Sequence, residues 1–130
     1  MIRRYLEERN VNFLTDRDGD FVVFFETEPG LPDLMVLFMV GGLFEEILSI
    51  RTKLMPPPPL NSDVCLNLVN NWNVERRWPK AVYRQGEISL EWDIDLERGV
   101  HYPLLAHLCD ILMVATHQFS TEIPQLLRNA

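Results

Sequence analysis

Apolar side chains recur along this chain in two rhythms, at helical spacing in three places and in alternating or continuous runs between them. The first helical stretch is "MIRRYLEERNVNF", where Ile2, Tyr5 and Leu6 share one face. Asn10 tolerates the left-handed backbone that ends a helix, and Val11 and Phe13 then fold back toward a strand. Phe21–Phe25 and Leu34–Val40 are continuous apolar runs rich in β-branched and aromatic residues, which suit strands covered on both faces. Asp18-Gly19 before the first run reads as a hairpin turn, and Gly41-Gly42 after the second as a tight turn. "LFEEILSIRTKL" fits two periods. Phe44, Ile47, Leu48 and Arg51 suit a helix, whereas Phe44, Leu48, Ile50 and Thr52 alternate as in a strand. The preceding Gly-Gly tips Phe44–Leu54 toward a strand.

"MPPPPL" holds an extended polyproline II segment. It reads as a stiff connector from sheet to helix, with a ligand for a proline-recognition domain as the other possibility. Asn61 or Ser62 caps the helix that follows, whose apolar face is Val64, Cys65, Leu68, Val69 and Trp72. "KAVYRQGEISLEWDID" is a hairpin turning at Gln85-Gly86. Its register sets Tyr83 against Ile88 and Ala81 against Leu90 on one face. On the other it sets Arg84 against Glu87 and Lys80 against Glu91. Ile88, Leu90, Trp92 and Ile94 point inward, and Ser89, Glu91, Asp93 and Asp95 outward. A last helix starts near Pro103 with an arc of Leu104, Leu105, Leu108, Ile111, Leu112, Ala115 and Phe119. Pro124 ends or kinks it, and "QLLRNA" continues as a short turn. A second stripe, Ala106, Met113 and Val114, lies away from that arc and points to a subunit or partner contact, or to a surface covered by the C-terminus.

The predicted fold class is therefore α+β, an antiparallel sheet with helices packed on it in the order α-β-β-β(-β)-α-β-β-α. With 130 residues and 47% hydrophobic content, one domain spanning 1–130 accounts for the chain. A formal net charge of −7 repels phosphate backbones and anionic membrane surfaces, so neither nucleic acid nor membrane is the expected partner. The two cysteines, Cys65 and Cys109, fall in apolar helical patterns and read as buried reduced thiols of a cytoplasmic protein. "MIRRYLEERN" lacks the apolar core of a signal peptide, and the run Leu34–Val40 is too short to cross a bilayer.

Candidate chemistry changes this picture little. Asp16, Asp18 and Asp20 alternate as in a calcium loop, but Phe21 and Thr27 stand where such a loop needs glycine and glutamate. Glu91, Asp93 and Asp95 share a strand face and read as a solvated face, partly neutralised by Lys80 and Arg84. His107, Asp110 and His117 share a helix side, yet the two histidines stand about 15 Å apart along the axis, too far for one metal. His107 with Asp110 alone reads as a surface pair. No serine or cysteine has a nucleophile's setting and no glycine-rich phosphate loop is present, so no catalytic, cofactor or metal residue is assigned. In "NNWNVERRWPKAVYRQG", Trp72 and Trp78 beside Arg76, Arg77 and Lys80 resemble a stacking site for single-stranded nucleic acid. The competing reading is a structural seam, because Trp72 continues the helix face and Lys80 meets Glu91.

The element order, with "LNLVNNWNVERRWPKAVY", "GEISLEWDIDLERGV" and an amphipathic last helix, resembles the YbjN family nearly throughout the chain. These are small bacterial proteins described as sensory transduction regulators. Their fold is similar to that of class I type III secretion chaperones, which are small, acidic, homodimeric α+β proteins. The residues that carry the resemblance are Asn70, Asn73, Arg76, Lys80 and Gly99. In the family pattern asparagines end the middle helix, a basic residue opens the next strand, and glycine precedes the last helix. The chain departs from the pattern at Asn10, where glycine is common, in its four-proline connector, and at His101 before the last helix. The resemblance implies a non-catalytic, homodimeric protein that binds another protein in a chaperone-like or regulatory way. A partner segment would be buried against the sheet or along its edge. A small-ligand sensory module is the alternative.

Overall fold

Tyr5 and Leu6 are buried on α1 (Ile2–Glu8), and Asn10 follows at φ 54°, the left-handed stop that the sequence predicts. The short β1 (Leu14–Thr15) then pairs with β2 (Phe21–Phe25), and their turn is held by Asp16, whose Oδ1 accepts from the Asp18 and Asp20 amides at 2.9 and 3.0 Å. β3 (Asp33–Gly41) and β4 (Ile47–Met55) follow. β4 resolves the ambiguous segment as a strand, with alternate residues buried along its whole length. The computed structural model describes residues 1–26, 29–41, 47–76 and 78–124. The expected turn at Gly42, the placement of Phe44, the contribution of Arg77 and the short turn over 125–130 lie outside the described residues.

After the prolines, α2 (Ser62–Glu75) opens on Asn61, whose side chain accepts from the Val64 amide at 2.9 Å. The hairpin β5 (Lys80–Arg84) and β6 (Glu87–Asp95) has the predicted register at all four expected pairs, with Gln85 and Gly86 both at positive φ as a tight two-residue turn requires. Gly99, at φ 78°, closes the loop into α3 (Tyr102–Ser120), where proline occupies the first turn.

The six strands form one antiparallel sheet in the order β1-β2-β3-β4-β6-β5, an α+β fold. The α2 segment carries the chain past β6, so the hairpin docks on β4 from the far side. All three helices pack on the same sheet face. α1 and α3 lie over Val23, Val36, Phe38, Leu48 and Ile50, and α2 with the end of α3 over Leu34, Leu54, Ala81, Ile88 and Leu90. A buried hydroxyl pair, Thr52 and Thr116 at 2.8 Å, fixes α3 on β4, and Thr116 Oγ1 also reaches the Leu112 carbonyl at 2.8 Å.

Two expectations need correction. The runs in β2 and β3 are covered on one face only among the described residues, because no helix reaches Val22, Phe24, Met35 or Leu37. The core face of α3 is Leu105, Cys109, Leu112, Thr116 and Phe119, rotated by about 60° from the expected arc at 100° per residue. Leu104 and Ile111, assigned to the core, are exposed. Thr116 and Ser120 take the inward positions because their hydroxyls bond to carbonyls of the preceding helical turn and enter the core satisfied.

Candidate functional site

Strand alternation sends every second residue of the sheet away from the helices, and the cross-strand register arranges these into rows. One row runs Val22, Leu37, Arg51, Glu91, Lys80, and the next runs Phe24, Met35, Lys53, Ser89, Val82. In these two rows the bare face is apolar over β2 and β3 and mostly charged over β4, β6 and β5, and Asp33 stands on the same face at the start of β3. Phe24 is 60% exposed, a large cost for an aromatic side chain left in water. Leu14, on the neighbouring β1, is 64% exposed.

The charged half centres on Glu91, which is 5% exposed although it sits on the uncovered face. Arg51 Nε and Arg84 Nη1 each stand 3.2 Å from its Oε1, and Lys80 Nζ stands 4.0 Å from its Oε2. The expectation of a solvated carboxylate row therefore holds for Asp93 and Asp95 but not for Glu91, whose desolvation three cations offset. Arg51 is the partner that sequence reasoning missed, since it arrives from β4 through a pairing that no local spacing signals. Arg84 reaches diagonally to Glu91, and Glu87 is met instead by Lys53 at 3.3 Å.

The seam after α2 is structural. Asn73 faces the backbone of Ala81 with both ends of its carboxamide. Its Oδ1 accepts from the Ala81 amide at 2.8 Å, and its Nδ2 donates to the Ala81 carbonyl at 3.0 Å. Trp72 Nε1 donates to the Pro79 carbonyl at 2.9 Å while its ring meets Phe119 edge-on, and the Arg76 guanidinium lies 4.5 Å over that ring. Trp78 packs edge-on against Trp92. Neither tryptophan presents a free stacking platform.

Residues 1–125 match the model of a family described as "Putative bacterial sensory transduction regulator". The chain belongs to the YbjN family. No curated protein sequence matches it. In this YbjN chain the residues that carried the resemblance do not converge on one site. Asn73, Arg76 and Lys80 lie along the seam and strand β5, Gly99 shapes the loop before α3, and Asn70 sits exposed on the outer side of α2.

The remaining sequence candidates also separate. Ala106 is buried in the core beside Leu105 and Cys109, Met113 packs partly against that core, and Val114 is exposed. With the true rotation of α3, the outward apolar stripe is Leu104, Ile111 and Val114. Asp110 is not paired with His107 alone. Tyr5 Oη donates to it at 2.7 Å, and Arg9 clasps both carboxylate oxygens at 3.1 and 2.7 Å. The Arg9 contact, followed by the Tyr5 hydroxyl, holds the Asp110 carboxyl below its usual range, while burial and then Asp110 push the Tyr5 phenol up. Asp16, Asp18 and Asp20 have oxygens within 4.8 Å of one another, and Asp16 is spent on the turn amides. Among the described residues no helix is long and apolar enough to cross a membrane.

Proposed function

We propose that this YbjN protein is a non-catalytic cytoplasmic regulator that binds another protein, in a chaperone-like manner, on the bare face of its sheet. A homodimeric contact would run along the outer stripe of α3. The observation that carries the reading is the segregation of all three helices to one side, so that among the described residues none packs over half-buried Val22, Met35 and Leu37 or exposed Phe24 on the other. An apolar surface of this kind gains free energy when a partner removes it from water, roughly 25 cal/mol per Å². Groups whose titrations are displaced are accounted for by packing and helix contacts, which supports the non-catalytic reading. Tyr5 and Asp110 join α1 to α3, and Cys109 lies under the helices.

The sheet edges favour the face over strand addition. β1 is two residues long, and Asn73 occupies the Ala81 groups on the outer side of β5. The cleft seen among the described residues does not itself carry the small-ligand sensory alternative. It measures about 210 Å³ between Gly30–Pro32, the prolines and Ile123, carries no charged lining residue and falls below the roughly 300 Å³ where ligand pockets begin. The test is affinity capture from the native host with the wild-type chain and with Phe24→Asp. The expected result is a partner retained by the first and lost by the second, and equal capture by both would refute the face. Light scattering should give a dimer that Ile111→Glu dissociates, and a monomeric wild-type chain at micromolar concentration would refute the α3 contact.

A further inference from the structure

The run of four prolines is the motif of the sequence that the fold and the proposed function leave least explained. Pro56, Pro57 and Pro59 are exposed, and only Pro58 is half-buried. Together they line the cleft with Gly30–Pro32 and Ile123, and the Pro58 carbonyl accepts from the Leu60 amide at 2.8 Å. The run closes the part of the chain whose strands pair in sequence order, β1 to β4. α2 follows it, and β6 then arrives on the free side of β4. A stiff connector belongs at such a reversal. Burial, however, accounts for Pro58 and not for an unbroken run.

Continuity of the run matters while the chain is being made. Peptide-bond formation on the ribosome is an aminolysis. The acceptor nitrogen attacks the ester carbonyl of the peptidyl-tRNA, a C–N bond forms, the ester C–O bond breaks, and the proton leaves with the tRNA hydroxyl. Its rate depends on how well nitrogen and carbonyl are held in the attacking geometry. Proline constrains both reactants. As acceptor it brings a nitrogen hindered by its own ring. As donor its φ is locked near −65°, so the end of the growing chain cannot turn to present the ester. A second proline behind the first stiffens that end further. The bonds 56–57, 57–58 and 58–59 meet these constraints in direct succession. We propose that Pro56–Pro59 are a translational pause site, and that synthesis of this chain depends on elongation factor P, the bacterial factor that seats the peptidyl-tRNA for proline–proline bonds. The pause holds a chain with β4 translated and its partner strand β6 not yet made, so supply of the factor sets how much of the protein appears.

The test is translation of the full-length messenger in a reconstituted bacterial system, with and without elongation factor P. Without the factor, peptidyl-tRNA ending at Pro57 or Pro58 is expected to accumulate, and the yield of complete chain should fall severalfold. Adding the factor should restore it. Pro57→Ala leaves no three prolines in succession and should remove both the pause and the dependence. The readout is chain length on the ribosome, so the stability of the variant does not enter it. Recoding the four codons synonymously should leave the pause in place, because the constraint lies in the peptide. Equal yields of complete chain with and without the factor would overturn the proposal. A pause that persists at the same place in Pro57→Ala, or that synonymous recoding abolishes, would also overturn it and assign the stop to the messenger.

Discussion

Glu91 is held by charge, since one carboxylate lies among three cations whose side chains are 39–58% exposed. Replacing it with glutamine keeps the shape and leaves the cations facing one another. Because those cations are partly solvated, the expected loss is about 1–2 kcal/mol, less than for a fully buried pair. Screening should recover part of it at about 1 M salt, where the Debye length is about 3 Å. Paired urea titrations at low and high salt check this, and a salt-independent loss would show that packing rather than repulsion was broken. The thiols behave differently. Cys109 is 0% exposed with its titration pushed up to about 12 by burial and then by Asp110, and Cys65 is 2% exposed with its thiol pushed up by burial. Neither is a thiolate at neutral pH, so a disulfide reagent should label neither in the folded chain and both after denaturation. Rapid labelling of the native chain would contradict that packing.

Elements are joined here by contacts far apart in sequence. The Tyr5–Asp110–Arg9 cluster ties α1 to α3, and Glu8 accepts from Tyr102 Oη at 2.7 Å beside it. Asp110 titrates lower in the folded chain than unfolded, so the unfolded state takes up the proton first as pH falls. Its contribution is present above the ordinary aspartate range and is lost as pH drops through the lowered folded value. The side chain is 46% exposed, so the effect is under about 1 kcal/mol, and Asp110→Asn should flatten the acid limb of a stability–pH curve by that amount. An unchanged acid limb would place the sensitivity elsewhere. Tyr5 was legible in the sequence as a core residue, but its hydroxyl partner was not, because nothing local links residues this far apart. The same divide separates the rest. The Gln85-Gly86 register and the Asn61 cap were readable because turn and cap chemistry act within a few residues. The rotation of α3 was not, because hydrophobicity ranks Leu104 and Ile111 above Thr116 and Ser120, whose hydroxyls are satisfied within the helix. The apolar character of β2 and β3 was plain, and only the tertiary arrangement reveals that among the described residues one of their faces has no helix over it.

At the scale of the whole molecule, the sheet has one guarded border and one very short one. Asn73→Ala removes two hydrogen bonds to the Ala81 backbone, at an expected cost of about 2 kcal/mol. It also frees an amide and a carbonyl on the outer side of β5, so concentration-dependent association should accompany the lower urea midpoint. Light scattering across a dilution series checks this, and a variant as stable and as dispersed as wild type would remove Asn73 from that role. The distinction between border and face has a consequence for assembly. A strand added at a border presents a fresh border to the next chain, so growth there has no natural end. A face, once occupied, offers nothing new. Under the proposed role, the Asn73 carboxamide seated on the Ala81 backbone disfavours open-ended strand addition at that border, whereas binding on the face closes after one partner.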